Sequence, residues 1–412
     1  MKSVPTLPLL ALLLLTPTAG AGVITGRVVD SLGNGVGGVN IAAEGSSTPT
    51  VTNGGTDPDG FFTTTINPDG VYDLFFEPPG PPATTHLTRV LTAVNVSGTV
   101  DLGNVVLAPG VALTGRCVRA VGGSAVPGVN IDVIAGGVNL PVVGDSTDAL
   151  GQFSIAVPTG PIEVRFKTDG TGTPLLAPLA LDLSLSSGTN IGDVLLQPGF
   201  VLSAIVRRQS NNAAVVNTDI DVFDSLTGDK IYTPSDNTDS AGFVDVIVAA
   251  GTYDFEVCPQ FADRLVATTL LSQSVSANTF LGTILLQPGV VLSGTIQDYL
   301  GNVHKDIDVD MRDSATQAKV TLCGDNTDET GFYAVVVPTG IFDVEFEPPL
   351  GLPLGSQTIP NVTITGDTTL DGTLPPCVFV YCTSKPSSIP GCVPALQPPC
   401  TASLSAGPGT AD

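Results

Sequence analysis

The feature that most constrains this chain is an internal repeat. Four segments carry the same landmarks in the same order, and the most regular landmark is a Thr-Asp-x-x-Gly turn that leads into an aromatic strand. The glycines of this turn, Gly60, Gly151, Gly242 and Gly331, lie 91, 91 and 89 residues apart (151 − 60, 242 − 151 and 331 − 242). A period of this length equals a small domain, so the repeat predicts a tandem array of domains.

Three further landmarks recur in each segment. The opening strand contains a small residue, which is Gly26, Gly115, Ala204 or Gly294. A Gly-led strand follows with an acid near its start, at Tyr72-Asp73, Ile162-Glu163, Tyr253-Asp254 and Phe342-Asp343. A leucine-led segment closes each copy. These landmarks predict a leader at 1–21, repeats at 22–110, 111–199, 200–289 and 290–376, and a tail at 377–412.

Each repeat contains about seven short apolar runs. In the first repeat they lie near 23–30, 38–43, 49–55, 60–66, 71–77, 88–95 and 100–108. Some runs alternate: Phe342, Val344 and Phe346 share one side of a strand and acids occupy the other, because successive strand side chains face opposite ways. With 42% hydrophobic and 13% charged residues the chain can build cores. The prediction is an all-β protein of four tandem seven-stranded β-sandwich domains, Ig-like or transthyretin-like.

The predicted joints between repeats are short. Gln197-Pro198-Gly199 and Gln287-Pro288-Gly289 separate a closing strand from the next opening strand. A Pro-Gly joint restricts motion more than a flexible Gly/Ser tether, so it predicts a semi-rigid rod.

The first 21 residues are typical of a signal peptide. Lys2 supplies a positive start, Leu7 to Leu15 an apolar run of nine residues, and Ala19-Gly20-Ala21 a small-residue cleavage site. No later apolar run reaches the roughly 18 residues of a membrane-spanning helix. We therefore expect a secreted, extracellular or cell-surface-associated protein without a transmembrane anchor.

Charge narrows the possible partners. The chain has 39 acidic and 15 basic residues, a net charge of −24, which disfavours nucleic acid and anionic membranes. An extracellular protein or a polysaccharide therefore remains as the expected partner. Sugar sites commonly stack aromatic rings on the ligand, whereas this chain has no tryptophan.

The repeats resemble carboxypeptidase regulatory-like domains, the transthyretin-like β-sandwich repeats of secreted bacterial proteins. The resemblance covers 22–376 and depends on the Val-x-Gly-x-Val opening, the turn motif and the Pro-x-Gly-x-Tyr/Phe hairpin. A further matching element is an Asn-Ile or Asp-Ile strand, at Asn40-Ile41, Asn130-Ile131, Asp219-Ile220 and Asp306-Ile307. The resemblance implies a non-catalytic structural or accessory module.

The repeats also resemble collagen-adhesin B-type sandwiches, whose domains often carry an internal Lys–Asn isopeptide bond. This sequence departs from that pattern. The first repeat has no lysine, the second only Lys167 and the third only Lys230. A repeated isopeptide crosslink is therefore not available.

No catalytic motif is evident. The two histidines, His86 and His304, occupy positions that do not recur, and Gly-x-Ser-x-Gly, His-Glu-x-x-His and phosphate-loop motifs are missing. We therefore predict no catalytic residues, no cofactor and no enzyme activity. The alternatives are a carbohydrate-binding-like accessory module, or the regulatory part of a secreted enzyme whose catalytic domain is absent here.

Calcium is the one metal with candidate ligands, because hard cations bind several acidic and carbonyl oxygens. The Asp-x-Thr-Asp turns supply them, at Asp145, Asp148, Asp236, Asp239, Asp325 and Asp328. The competing interpretation is that these side chains cap a tight turn by accepting backbone N–H groups. The first repeat lacks the leading acid, which favours turn capping.

The cysteines fall into two groups. Cys377, Cys382, Cys392 and Cys400 lie in the proline-rich tail and predict a small disulfide cluster with three possible pairings, in what resembles the start of a further module. The others, Cys117, Cys258 and Cys323, fall in three different repeats and are predicted to be unpaired and buried.

Overall fold

A computed structural model describes residues 20–46, 48–168 and 175–377. Apart from one 3₁₀ turn at Phe261–Asp263, the regular structure of these residues consists of β-strands. No helix in this part of the chain has the length and apolar character needed to cross a membrane.

Seven strands fall within each predicted repeat. The first repeat contains β1 (Gly22–Val29), β2 (Asn40–Gly45), β3 (Thr50–Thr52), β4 (Phe61–Asn67), β5 (Gly70–Glu77), β6 (Arg89–Val96) and β7 (Thr99–Val106). The second contains β8 (Val111–Arg119), β9 (Asn130–Ala135), β10 (Val138–Leu140), β11 (Gln152–Val157), β12 (Gly160–Lys167), β13 (Leu179–Leu185) and β14 (Thr189–Leu196). The third contains β15 (Phe200–Arg208), β16 (Asp219–Asp224), β17 (Lys230–Ile231), β18 (Phe243–Val248), β19 (Gly251–Cys258), β20 (Thr268–Val275) and β21 (Thr279–Leu286). The fourth contains β22 (Val290–Asp298), β23 (Asp308–Asp313), β24 (Phe332–Val337), β25 (Gly340–Glu347), β26 (Gln357–Ile364), β27 (Thr368–Thr369) and β28 (Gly372–Leu374).

The strands of each repeat form two sheets. One is centred on the opening strand, in the orders β3-β4-β1-β7, β11-β8-β14, β18-β15-β21 and β24-β22-β27, with β28 also pairing with β22. The other is centred on the Gly-led hairpin strand, in the orders β2-β5-β6, β10-β9-β12-β13, β17-β16-β19-β20 and β23-β25-β26. The opening strand runs antiparallel to one neighbour and parallel to the closing strand, as β1 does with β4 and β7.

A hydrophobic core lies between the two sheets. In the first repeat, Ile24 and Phe62 from one sheet are buried with Ile41, Leu74 and Phe76 from the other. Comparable clusters fill the third and fourth repeats. The predicted alternation is present, since Phe342, Val344 and Phe346 are buried along β25. The all-β sandwich class is thereby confirmed, whereas the division into four domains stays a prediction.

In three of the four repeats, the small residue of the opening strand makes room for an aromatic ring. Gly115 pairs across the sheet with Phe153, and a Cβ on Gly115 would lie 2.7 Å from that ring. The first and fourth repeats repeat this arrangement with Gly26 opposite Phe62 and Gly294 opposite Tyr333. The third repeat has Ala204 opposite Val244, so a larger opening residue accompanies a smaller partner.

The chain forms two compact units. Of the described residues, those up to 168 and Leu179–Leu196 belong to one unit, and 175–178 and 197–377 belong to the other. The sheets of the first and second repeats belong to the first unit, and those of the third and fourth to the second.

The strand equivalent to Asp219-Ile220 in the fourth repeat differs from the sequence match. Thr238 N donates to Thr218 O, and Thr327 N donates to Ile307 O, so Ile307 occupies the position of Thr218. The residues equivalent to Asp219-Ile220 are therefore Asp308-Val309, two residues beyond Asp306-Ile307. The sequence match was displaced because both pairs read Asp followed by a β-branched residue.

Candidate functional site

The threonine of the recurring turn motif ties two loops of its own repeat together. In the second repeat, Thr147 Oγ1 donates to Val126 O at 2.7 Å and accepts from Val129 N at 2.9 Å. The same pair of hydrogen bonds is made by Thr56, Thr238 and Thr327. Since these threonines are largely shielded from water, the bonds satisfy backbone groups that would be costly to leave unpaired.

The aspartate that follows the threonine caps the turn. Asp148 Oδ1 accepts from the backbone N–H groups of Leu150 and Gln152, both at 2.8 Å. Equivalent pairs of bonds are made by Asp57, Asp239 and Asp328. In every copy, the aspartate therefore stabilises the backbone of its own turn.

The glycine of the motif is required by the backbone. Gly151 has a φ of +75°, and a Cβ there would lie 2.5 Å from the carbonyl oxygen of Cys117. A left-handed φ and a backbone clash both exclude larger residues.

The acid of the hairpin strand also serves the fold. Asp73, Asp254 and Asp343 accept from backbone N–H groups in the neighbouring strand at 2.7, 2.7 and 2.9 Å. The donors, Ala93, Ser272 and Asn361, all have a positive φ. The second repeat differs, because Glu163 there pairs with Arg165 at 2.8 Å.

The structure separates the predicted calcium ligands into two groups. The trailing acids Asp148, Asp239 and Asp328 cap turns, as described above. The leading acids Asp236 and Asp325 lie instead among acids of the hairpin-centred sheet. In the second repeat, Asp145 and Asp148 line different clefts.

In the third repeat, Asp236 joins two acids of β16. Carboxylate oxygens of Asp219, Asp221 and Asp236 all lie within 4.8 Å of one another, and Lys230 forms an ion pair with Asp221. Burial, followed by the charge of Asp221, raises the pKa of Asp219 above its usual value. Burial likewise raises the pKa of Asp236.

The fourth repeat has a second cluster at the equivalent place. Oxygens of Asp308, Asp310 and Glu347 lie within 4.8 Å of one another, and Lys319 Nζ lies 2.7 Å from Asp310 Oδ1. Burial, and then the charge of Asp308, raises the pKa of Asp325 to about 6. These carboxylates have the donor chemistry of a calcium site, while Lys319 already neutralises part of their charge. Calcium binding stays a prediction.

Both histidines make local contacts and are half-buried. His86 Nδ1 contacts Thr84 Oγ1 two residues away. His304 Nε2 lies 3.0 Å from Asp298 Oδ2. Asp298 also accepts from Leu300 N and Asn302 N, and the His304 contact, followed by these bonds, holds the pKa of Asp298 well below its usual range.

The expectation that Cys258 and Cys323 are unpaired is wrong. They form a disulfide with a Cα–Cα distance of 5.8 Å that links the third repeat to the fourth. Sequence reasoning missed the bond because it treated each repeat separately, whereas facing positions of consecutive repeats are brought together at their joint. Cys117 is free and buried as predicted, and burial raises its thiol pKa to about 12. Cys377 is disulfide-bonded, and Cys382, Cys392 and Cys400 lie outside the described residues.

Further side chains connect the same two repeats. Thr269 Oγ1 and Thr321 Oγ1 share a hydrogen bond of 2.7 Å. Arg264 Nη1 donates to both carboxylate oxygens of Asp367, at 2.9 and 2.8 Å, and Asp367 Oδ1 also accepts from Val291 N. The joint is therefore held by covalent, ionic and hydrogen bonds.

A polar cleft of about 560 Å³ lies within the second repeat. Its lining includes Arg116, Gln152, Asn190 and Asp193, at a register shift between β8 and β14. Phe153 also lines the cleft but is only 5% exposed. The cleft therefore offers hydrogen-bonding groups and little aromatic surface.

No family model matches the chain, and no curated protein matches it. The resemblance to carboxypeptidase regulatory-like domains accordingly stays a prediction.

Several solved structures are similar over large parts of the chain. The Bacillus anthracis TIE protein is 12% identical, with 82% of this chain and 68% of that chain covered and a TM-score of 0.20. A streptococcal ancillary pilin is 11% identical, with 65% and 99% covered and a TM-score of 0.20. A double mutant of the shaft pilin SpaA from Lactobacillus rhamnosus GG is 13% identical, with 43% and 97% covered and a TM-score of 0.20. TM-scores of this size support no functional conclusion.

Proposed function

We propose that this chain is an extracellular, non-catalytic structural protein with a spacer- or adhesin-like role, which contacts another extracellular protein or a polysaccharide. One observation carries the proposal: the polar residues that recur among the repeats bond to backbone groups of their own repeat. In each copy the Thr-Asp pair binds four backbone groups, as Thr147 and Asp148 do. Repetition of this motif therefore serves the fold.

The Cys258–Cys323 disulfide supports the extracellular part of the proposal. Disulfides persist mainly in oxidising compartments, because cytosolic thiol systems keep cysteines reduced. The predicted signal peptide agrees with this compartment.

The test is to locate the chain in cells that produce it. Antibodies should find it in the medium or on intact cells, where added protease removes it. Retention inside intact cells, protected from protease, would contradict the proposal. Small-angle scattering of the purified chain tests the separate prediction of a semi-rigid rod.

Polysaccharide binding is a second candidate, favoured by the polar cleft of the second repeat. Arg116 and Asn190 present hydrogen-bonding groups there, which suits a hydroxyl-rich ligand. A glycan array probed with the full chain should show binding that R116A and N190A abolish. The matched control is R27A, which changes the equivalent arginine of the first repeat. Equal loss in R27A and R116A, or no binding, would exclude the cleft.

Calcium binding is retained as a proposal for the two acidic clusters. A bound ion stabilises the folded chain by mass action, so millimolar calcium should raise the melting temperature of the third and fourth repeats. D310N should remove the increase in the fourth repeat and leave the increase in the third repeat, whose cluster it does not touch. An unchanged melt in calcium and in chelator would leave these acids as a solvated face.

A further inference from the structure

The Cys258–Cys323 disulfide closes a large loop of the chain. The two cysteines are 65 residues apart in sequence, while their Cα atoms are 5.8 Å apart. Cys258 is the last residue of β19, and Cys323 precedes the turn motif of the fourth repeat. The loop therefore contains the end of the third repeat, the Pro288-Gly289 joint and the start of the fourth.

Once its strands detach under load, a chain pulled from both ends transmits force along its covalent path. Force that reaches Cys258 can cross directly to Cys323 through the sulfur atoms. The strands between them, β20 to β23, and the joint peptide lie outside this shorter path. A disulfide withstands the forces that unfold sandwich domains, because it is a covalent bond.

We propose that the disulfide is a mechanical bypass, which carries tension from the third repeat to the fourth and shields the joint between them. This deepens the proposed structural role, since the bypass is useful only in a chain that bears load. The non-covalent contacts then set the orientation of the two repeats. They are the Arg264–Asp367 pair and the Thr269–Thr321 hydrogen bond.

The exposed position of the ion pair agrees with that division of roles. The side chains of Arg264 and Asp367 are each 54% exposed. Exposed pairs contribute little energy, so this pair is a weak support for a loaded joint. The covalent bond supplies the strength that the ion pair lacks.

Single-molecule stretching of the full chain tests the first part of the proposal. An extended chain spans about 3.3–3.6 Å per residue, so the closed loop should shorten the fully stretched chain by about 210–230 Å relative to C258S/C323S. The comparison is made without reductant, because reductant would also open the disulfide of Cys377. Equal lengths for both chains would overturn the proposal.

The second part concerns the joint itself. The double variant R264Q/D367N should leave the force that unfolds the third and fourth repeats unchanged in the oxidised chain. In the C258S/C323S background, the same double variant should lower that force. An equal decrease in both backgrounds would show that the joint carries load, and would overturn the bypass. Circular dichroism and melting of each variant establish that it is folded before it is stretched. The lengths and forces do not depend on where the chain is located, so failure of the bypass and failure of the proposed function are distinguishable.

Discussion

The joint between the first and second repeats and the joint between the third and fourth share one template. In both, a glycine N–H donates to a loop that follows the hairpin strand: Gly110 to Thr85 O at 2.9 Å, and Gly289 to Arg264 O at 2.8 Å. Neither glycine has room for a side chain. A Cβ would lie 2.7 Å from Val157 O at Gly110 and 2.6 Å from Val336 Cγ1 at Gly289.

The two joints differ on the side facing the hairpin-centred sheets. In the first joint, Glu77 and Val143 line a cleft of about 280 Å³. Glu77 ends β5 as Cys258 ends β19, and Val143 precedes Gly144-Asp145 as Cys323 precedes Gly324-Asp325. The cysteines therefore occupy the positions of the glutamate and the valine. The two joints share a common backbone, and these two residue differences give an open cleft at the first joint and a disulfide at the other. This disulfide is called the brace below.

The largest effect expected is from removal of the brace. The 65-residue separation predicts a loss of about 2–4 kcal/mol in the free energy of unfolding of the third and fourth repeats in C258S/C323S, because a crosslink restricts the unfolded chain. Calorimetry with hydrogen exchange should assign the change to these repeats and leave the first two unaffected. An unchanged transition would show that the joints do not differ in stability for this reason.

The converse experiment transfers the brace to the first joint. E77C/V143C should form a disulfide and stabilise the first two repeats by about 1–3 kcal/mol, since engineered crosslinks often deliver less than native ones. Mass spectrometry after alkylation identifies the bond, and the single variants E77C and V143C are the controls. Free thiols at both positions in the oxidised chain would break the comparison of the two joints.

A change of pH should produce a smaller difference in stability between the two joints than the disulfide does. The folded pKa of Asp325, about 6, lies above its unfolded value of about 4, because the group is buried near Asp308 and Asp310. Between these values the folded state binds more protons, so stability rises as the pH falls and the gain is complete below the unfolded pKa. Melting between pH 7.5 and 5 should show a gain on the order of 1–2 kcal/mol in the fourth repeat.

D325N should flatten this pH dependence. Burial also raises the pKa values of Asp308 and Glu347, so a smaller slope is expected to remain. The matched control is D145N in the second repeat, where Asn130 and Lys167 occupy the positions of Asp308 and Glu347. If D325N leaves the slope of stability against pH unchanged, the assignment of this pH dependence to Asp325 is contradicted.

The smallest effect concerns one buried hydroxyl. Thr218 is fully buried, and its Oγ1 has no hydrogen-bond partner among the described residues. The first and second repeats have Val39 and Val129 at this position. T218V should stabilise the third repeat by up to about 1 kcal/mol, because it removes an unsatisfied polar group at similar volume. Urea unfolding measures this gain, and a loss of stability would indicate that the hydroxyl is satisfied.

Much of the architecture was predictable because it is local and repeated. Alternation along a strand such as β25 fixes which side chains enter the core, and the turn motif recurs with its threonine, aspartate and glycine. The small residue of the opening strand was visible as a landmark. Its reason, the aromatic ring opposite Gly115, needed the cross-strand register.

The candidate calcium residues show where sequence reasoning was incomplete. Spacing grouped Asp325 with Asp328, which are three residues apart, but their side chains have different neighbours. Asp328 caps its own turn, while Asp325 lies near Asp308 from a different strand. Sequence distance could not separate these environments, because strand pairing determines which acids approach each other.

The sequence by itself therefore determined the repeat and the β class, since these depend on recurring landmarks and on side-chain alternation along single strands. The tertiary structure decided the acidic clusters and the Cys258–Cys323 bond. The physical reason is that these features join residues of different strands or different repeats. Their approach is set by sheet register and by packing at the glycine joint, neither of which is encoded in local spacing.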